Sequence, residues 1–253
     1  MFLMAQGGID LSIGATMALS GILGAMSANI SIYLLLPVTI IVGIVIGYIN
    51  YIFVVKFQIN DFLLTLSMSF VLSGTASFVL NASGIGVPRE MLKWSSQGLR
   101  IGVMIGVYII CAFVFGWTPL GRQCKAIGAN EKAAVYSGIN VKRLKSIAFI
   151  ISGGVAGLLA FFSVIRAGIA NNTMGGQLPF DVLIVLLIGG FPINGGVNSN
   201  IRAPIIGSIT ITILMNGLTL IGISEREQQL IRGILLLLIV TATYDRKRTP
   251  VIK

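Results

Sequence analysis

Long apolar runs separated by short charged turns leave this chain few ways to fold. A helix needs about 20 apolar residues to cross a bilayer, and candidate spans are read at 8–28, 32–54, 61–80, 99–118, 146–165, 181–200, 203–223 and 230–244. Only 10% of the 253 residues are charged, against about 25% in a soluble domain. The expected fold class is all-α, a polytopic transmembrane helix bundle with about 7–8 spans, some broken or re-entrant. The whole chain, 1–253, reads as a single transmembrane domain without a soluble domain or long linker.

The first and sixth runs are interrupted. Gly7-Gly8-Ile9-Asp10-Leu11-Ser12 opens one, and Gly189-Gly190-Phe191-Pro192-Ile193-Asn194-Gly195-Gly196 closes the other. Non-helical backbone at membrane depth survives only against protein or a water-filled cavity. Such interruptions, one in each half of the chain, are the pattern of a transport site near the bilayer midplane. The last run is short and starts at a basic residue, Arg232.

The formal charge of +10 does not indicate nucleic acid, because the cations sit in short loops without aromatic residues interleaved on a solvated face. The longest charged stretch, 119–145, carries Arg122, Lys125, Lys132, Lys142, Arg143 and Lys145 against Glu131. Positive loops face the cytoplasm, so 119–145 is expected to be a cytoplasmic loop. Alternating the spans from there puts 12 of the 18 Lys and Arg residues inside, including Lys56, Arg202 and the tail cations Arg246, Lys247, Arg248 and Lys253. Arg89, Lys93, Arg100, Arg166, Arg226 and Arg232 fall outside.

Enzyme chemistry finds little to work with. Histidine is absent, and Cys111 and Cys124 have no metal or redox spacing, so neither metal nor cofactor is expected. No Gly-x-Ser-x-Gly elbow occurs. The phosphate-cradling Gly-x-x-x-x-Gly-Lys-Ser/Thr loop is also missing, so ATP hydrolysis by that route must come from another polypeptide. No cleavable signal peptide is expected, since the N-terminus lacks a basic region.

Within the loop, Asn130 is placed to cap a helix, Glu131 to sit favourably in its first turn, and Gly138 to end it. Such a helix is too short to be stable alone in water and needs a docking surface. Ala133, Ala134 and Val135 offer a face that could enter a partner's groove; an ordinary solvated loop is the plainer alternative. Asp10 and Asp181 are costly inside an apolar run unless satisfied. Asp10 either holds the local backbone or meets a substrate. Asp181 either caps its helix or contacts an entering solute or an external protein, and Asp61 is expected to cap the third span. Asn50, Ser67, Ser69, Ser73, Thr75, Asn194 and Asn216 could line a polar path. Three Gly-x-x-x-Gly steps lie within the predicted spans, Gly43/Gly47, Gly102/Gly106 and Gly153/Gly157, and allow close helix approach, within one chain or between two.

Three segments together carry a family resemblance. Leu120-Gly121-Arg122, Ala126-Ile127-Gly128-Ala129-Asn130-Glu131-Lys132-Ala133-Ala134 and Ser137-Gly138-Ile139-Asn140-Val141 look like the cytoplasmic loop of the ribose-type monosaccharide permeases of ABC transporters. Gly7-Gly8-Ile9-Asp10-Leu11-Ser12-Ile13-Gly14 resembles that family's Gly-Ile-Asp-Leu-Ser-Val-Gly segment. Leu187-Ile188-Gly189-Gly190, Gly195-Gly196, Gly207 and Asn216-Gly217-Leu218 follow its C-terminal pattern more loosely. The chain departs at Phe191-Pro192, where the family has Thr or Met and then Ser, and at Ser73-Gly74, where it has Arg-Gly. Relatives carry at least one further span ahead of the Gly-Ile-Asp-Leu-Ser segment, so this chain reads as a fragment, a late start or a trimmed variant.

The resemblance implies a non-enzymatic permease subunit of a sugar importer in a prokaryotic cytoplasmic membrane. It implies ABC ATPase subunits, an extracellular sugar-binding protein, a second permease protomer and membrane lipid as partners. Coupling to the ATPase would fall on Gly121, Arg122, Gly128, Asn130, Glu131, Ala134, Ser137 and Gly138. The substrate pathway would involve Gly8, Asp10, Ser12, Asp181, Gly189, Gly190 and Asn194. The competing expectation is a stand-alone secondary transporter or channel, which explains the broken spans but not the loop.

Overall fold

With no water to satisfy backbone N–H and C=O groups in lipid, a chain this apolar is driven into helices. The computed structural model describes residues 1–80, 84–94 and 96–243. In chain order these form α1 (Phe2–Ala5), α2 (Ile13–Ala28), α3 (Leu35–Phe57), α4 (Asp61–Leu80), β1 (Ile85–Gly86), α5 (Gln97–Trp117), α6 (Pro119–Ala129), α7 (Glu131–Tyr136), α8 (Val141–Ala167), β2 (Ile169–Ala170), α9 (Leu178–Ile188), α10 (Ala203–Leu220) and α11 (Glu225–Thr243). A 3-10 turn, Ile32–Leu34, leads into α3. Among the described residues, five helical stretches are long and apolar enough to cross a membrane: Ile32–Phe57, Asp61–Leu80, Gln97–Trp117, Val141–Ala167 and Ala203–Leu220. The chain is a multi-pass, all-α membrane protein. The tail cations counted above lie outside the described residues.

Helix α8 is the axis of the molecule. At about 1.5 Å per residue its 27 residues reach about 40 Å, more than a hydrocarbon core. Asn140 caps its start, accepting from the Arg143 N–H at 3.0 Å, and Gly168 ends it in the left-handed conformation at φ +71°. Its first end carries α6 and α7; its other end leads into β2, which pairs antiparallel with β1. The two membrane faces are thereby defined. Helix α3 crosses α8 with backbones in contact. A Cβ on Gly43 would strike the Gly153 carbonyl, one on Gly47 the Phe149 carbonyl, and one on Gly157 the Thr39 carbonyl. Two of the three Gly-x-x-x-Gly steps therefore form one crossing within the chain. At Gly102 and Gly106 on α5 a Cβ would meet nothing within 4 Å.

The predicted spans differ from the structure at four places. The run 181–200 is not one spanning helix: α9 is 11 residues, about 17 Å, and beyond it the chain runs non-helically against α1 and α6 until α10 begins at Ala203. Its later apolar residues, Phe191 and Ile193, are held in protein rather than lipid. The run 8–28 is a short α1, a break, and α2 from Ile13. The last helix starts at Glu225, not 230, because Ser224 and Glu227 cap it reciprocally. The Ser224 N–H donates to Glu227 Oε2 at 2.7 Å, and the Glu227 N–H reaches Ser224 Oγ at 3.5 Å. The stretch 119–145 is not a plain loop but α6, α7 and the foot of α8.

Candidate functional site

The interruption between α1 and α2 leaves backbone groups that a helix would have paired, and neighbouring helices supply partners. Thr65 Oγ1 on α4 accepts from the Leu11 N–H at 3.1 Å and lies 3.2 Å from the Ile9 carbonyl. Asp10 accepts from the Ser12 N–H at 2.9 Å, from Ser12 Oγ at 2.6 Å and from Ser152 Oγ at 2.8 Å. Asn50 Nδ2 on α3 donates to Ser12 Oγ at 2.8 Å. A relay of Asn50, Ser12, Asp10 and Ser152 thus ties α2, α3 and α8 together. Asp10 also sits at the start of α2, where a negative charge meets the positive end of the helix dipole. Ser152 fixes the depth: it lies about 17 Å from one end of α8 and about 23 Å from the other, near the midplane.

Beside Asp10 lies a cavity of 260 Å³, lined by Gly8, Asp10, Ile13, Ser152, Leu178, Pro179 and Val182 among others. Two helices begin at its wall. A Cβ on Gly14, in the first turn of α2, would strike the carbonyl of Gly175 and approach Pro179 at the start of α9. The segment 171–177 therefore descends from the β1–β2 face to meet α2 at mid-depth. Helices α2 and α9 run from this point toward opposite faces, their N-terminal N–H groups converging on one place.

The break is also gripped from the face that carries α6 and α7. Gln6 Nε2 donates at 3.2 Å to Cys124 Sγ on α6 and at 3.2 Å to the Leu144 carbonyl on α8. Burial pushes the Cys124 thiol pKa up, and the Gln6 contact opposes that only in part. Gly8 leaves room for the Asp61 carboxylate, which a Cβ would strike, and Asp61 pairs with Lys145 on the foot of α8 at 3.7 Å. A second cavity of 740 Å³ opens here, lined by Gly7, Asp61, Glu131, Lys142 and Lys145 among others. Asp61 is thus not the cap expected of it; Asn60 Oδ1 accepts from the Phe62 N–H at 2.9 Å instead.

The predicted coupling residues form one structure. Gly121 lets α6 approach the Phe115 carbonyl, and Gly128 lets it approach the Ala5 carbonyl and the Gly196 N–H. Arg122 is exposed. Asn130 Oδ1 accepts from the Ala133 N–H at 3.1 Å and starts α7. Ser137 Oγ donates to the Ala133 carbonyl at 2.9 Å, and Gly138 turns the chain at φ +79°. Ala134 is only 4% exposed and faces the chain's own core, so it cannot be part of a face offered outward. Glu131, Lys132, Ala133, Val135 and Tyr136 form that face, with Tyr136 90% exposed.

The predicted pathway residues separate into groups. Asp10 and Ser12 meet near the midplane, and Gly8 lies between them and Asp61 at the α6–α7 face. Asp181 does not cap α9; it pairs with Arg232 on α11 at 3.4 Å. Gly189 packs on the Ala203 carbonyl, and Gly190 is exposed at φ +85°. Exposed Asn194 places its carbonyl against Gly7, at the α6–α7 face. Of the candidate amides and hydroxyls, Asn50 joins the relay, while Ser67 and Thr75 bond to their own helix. Asn216 is exposed. Ser152, Thr65 and Gln6 were not foreseen; a hydroxyl directly beside Gly153-Gly154 in an apolar run is the one local signal Ser152 gives.

Residues 1–240 match the family described as "Branched-chain amino acid transport system / permease component". The ribose import permease protein RbsC of Escherichia coli K12 is 32% identical over 245 residues, covering 92% of this chain and 76% of that protein. The chain belongs to the ABC-importer permease family. RbsC of Bacillus subtilis strain 168 is also 32% identical, over 98% of this chain and 79% of its own length. The L-arabinose ABC transporter permease protein AraH of Azospirillum brasilense is 27% identical, over 100% of this chain and 77% of its own. No solved structure matches the chain. As a family member the chain is a permease, and the secondary-transporter expectation falls away.

Proposed function

We propose that this permease is the translocation subunit of an ABC importer carrying a monosaccharide across a prokaryotic cytoplasmic membrane. The names of its relatives support a sugar: ribose for RbsC and L-arabinose for AraH. The observation that carries the reading is the exposed α7, seated by Ala134 on a foot that grips the Gly7–Ser12 break.

In this reading α7 docks on a cytoplasmic ATPase subunit, with Gly121, Arg122, Gly128, Asn130, Glu131, Ser137 and Gly138 shaping or presenting the contact. An extracellular binding protein delivers the sugar, and a second permease protomer completes the path. Nucleotide binding displaces α7. The foot of α8 moves with it, and Lys145, Leu144 and Cys124 pass the displacement to Asp61 and Gln6, hence to both sides of the break. Asp10 and the converging ends of α2 and α9 line the part of the path that changes access. The cavity beside Asp10 has few hydroxyl partners, which suits a path sampled in passing rather than a tight binding site. Coupling of this kind requires one two-state equilibrium that both nucleotide and substrate bias.

The test is co-purification in mild detergent of the wild-type chain and Glu131→Arg. The reading predicts an ABC ATPase with the wild type and its loss in the variant. Absence of any ATPase with folded wild-type protein contradicts it.

A further inference from the structure

At the membrane face opposite α6 and α7, helices α5 and α8 do not close on each other. They leave a groove of 440 Å³ lined by Gln97, Arg100, Met104, Leu159, Phe162 and Arg166 among others. None of its polar lining residues belongs to the site described above. Its polar groups are stacked at one end. On α5, Gln97 and Arg100 lie at the membrane face, with Ile101, Met104 and Ile105 deeper. On α8, which runs the other way, Arg166 and Ser163 lie at the face, with Phe162 and Leu159 deeper. From residue 166 down to 159, and from 97 down to 105, the groove runs about 10–12 Å into the hydrocarbon.

Its charge is uncompensated. The ion pairs among the described residues are Lys145–Asp61 and Arg232–Asp181, so Arg100 and Arg166 face no protein carboxylate there. The Arg100 Nε is buried without a hydrogen-bond partner. A buried N–H left unpaired costs free energy until an acceptor reaches it, and the planar guanidinium fork matches phosphate oxygens.

We propose that this groove seats an anionic phospholipid, its phosphate held by Arg100 and Arg166 and an acyl chain lying over Met104, Leu159 and Phe162. The apolar floor decides between occupants. An acidic side chain docking from the water face would satisfy the arginines but leave the floor unfilled, whereas a lipid fills both.

The test is native mass spectrometry of the delipidated, detergent-purified chain titrated with phosphatidylglycerol and with phosphatidylcholine of the same acyl chains. Wild type is expected to bind phosphatidylglycerol about tenfold more tightly. The double variant Arg100→Gln/Arg166→Gln is expected to lose that preference. Met104→Trp, which fills the floor and keeps both arginines, is expected to weaken phosphatidylglycerol about tenfold as well. Arg226→Gln, on the same membrane face, is expected to change nothing. Equal wild-type affinity for the two lipids overturns the proposal, and that comparison holds even if the double variant fails to fold. Undiminished phosphatidylglycerol binding in Met104→Trp also overturns it, because no acyl chain then lies on the floor.

Discussion

Replacing Gly43 by Ala tests the crossing on which the site is built. The added Cβ would overlap the Gly153 carbonyl oxygen, with the Gly157 N–H close behind. Both are backbone atoms in the middle of α8 and cannot swing away as a side chain could. Helices α3 and α8 must therefore part by about 1 Å. A gap of that size forfeits roughly a quarter to a half of each contact's attraction, each worth about 0.1–0.2 kcal/mol. Over roughly 20 heavy-atom pairs along the crossing, the loss is about 0.5–2 kcal/mol, and overpacking typically costs about 1–3 kcal/mol. The same parting draws Ser152, next to Gly153, away from Asp10 and stretches a bond that is now 2.8 Å. Gly106→Ala is the matched control: the same change in an identical motif, but with nothing within 4 Å of the new methyl, and an expected effect within about 0.5 kcal/mol. Thermal unfolding of the detergent-solubilised chain is the assay. Taking about 1–2 kcal/mol, where the two ranges overlap, the midpoint falls by roughly 2–8 °C for a chain of this size. Equal midpoints for Gly43→Ala and Gly106→Ala would refute the reasoning.

Three further outcomes follow from particular contacts. Thr65→Val keeps the shape of the side chain but orphans the Leu11 N–H, and is expected to cost about 1–3 kcal/mol in the same unfolding assay. Asp181→Asn leaves Arg232 without its counter-charge inside the membrane and is expected to destabilise by about 1–3 kcal/mol. Asp181→Asn with Arg232→Met should recover most of that, and a double variant no better than the single would exclude the pair as the cause. Cys124 is fully buried and its thiol pKa is raised by burial, so at neutral pH less of it is thiolate than in a free cysteine. In a Cys111→Ser background a water-soluble maleimide should leave it unlabelled until the chain is unfolded; rapid labelling of the folded protein would contradict the placement of α6.

Hydropathy made the long spans legible because α3, α4, α5, α8 and α10 each present an unbroken apolar run to lipid. It also exposed the two interruptions, since Gly7-Gly8 and Gly189-Gly190 stand out in such runs. It could not say that α9 stops at Ile188, because Phe191 and Ile193 are as apolar in a window as lipid-facing residues although they pack into protein. Capping chemistry correctly placed the start of α7 at Asn130, but the equivalent signals at Asn140 and at Ser224–Glu227 were overlooked, so α8 and α11 began too late. The roles of the acids were least readable. Asp10 does hold its local backbone through the Ser12 N–H, one of the two roles expected of it, but Asp61 meets Lys145, Asp181 meets Arg232 and Asp10 also meets Ser152. Each of these last three partners lies far away along the chain, and no local pattern announces which helix will supply it. The outward face of α7 was misjudged for a similar reason. Ala134 and Val135 are equally apolar neighbours, and only the docking of α7 on the core decides that the first is buried and the second exposed.

The coupling role of α7 is tested most directly by photo-crosslinking from single positions in cells that make the whole transporter. A photoreactive amino acid replacing Tyr136, which is 90% exposed on α7, is predicted to form an adduct with an ABC ATPase subunit. The same substitution at Leu220, 87% exposed at the end of α10 on the opposite membrane face, is predicted to form none. Adducts from neither position, or from Leu220 alone, would contradict the claim that this short helix receives the force of the motor.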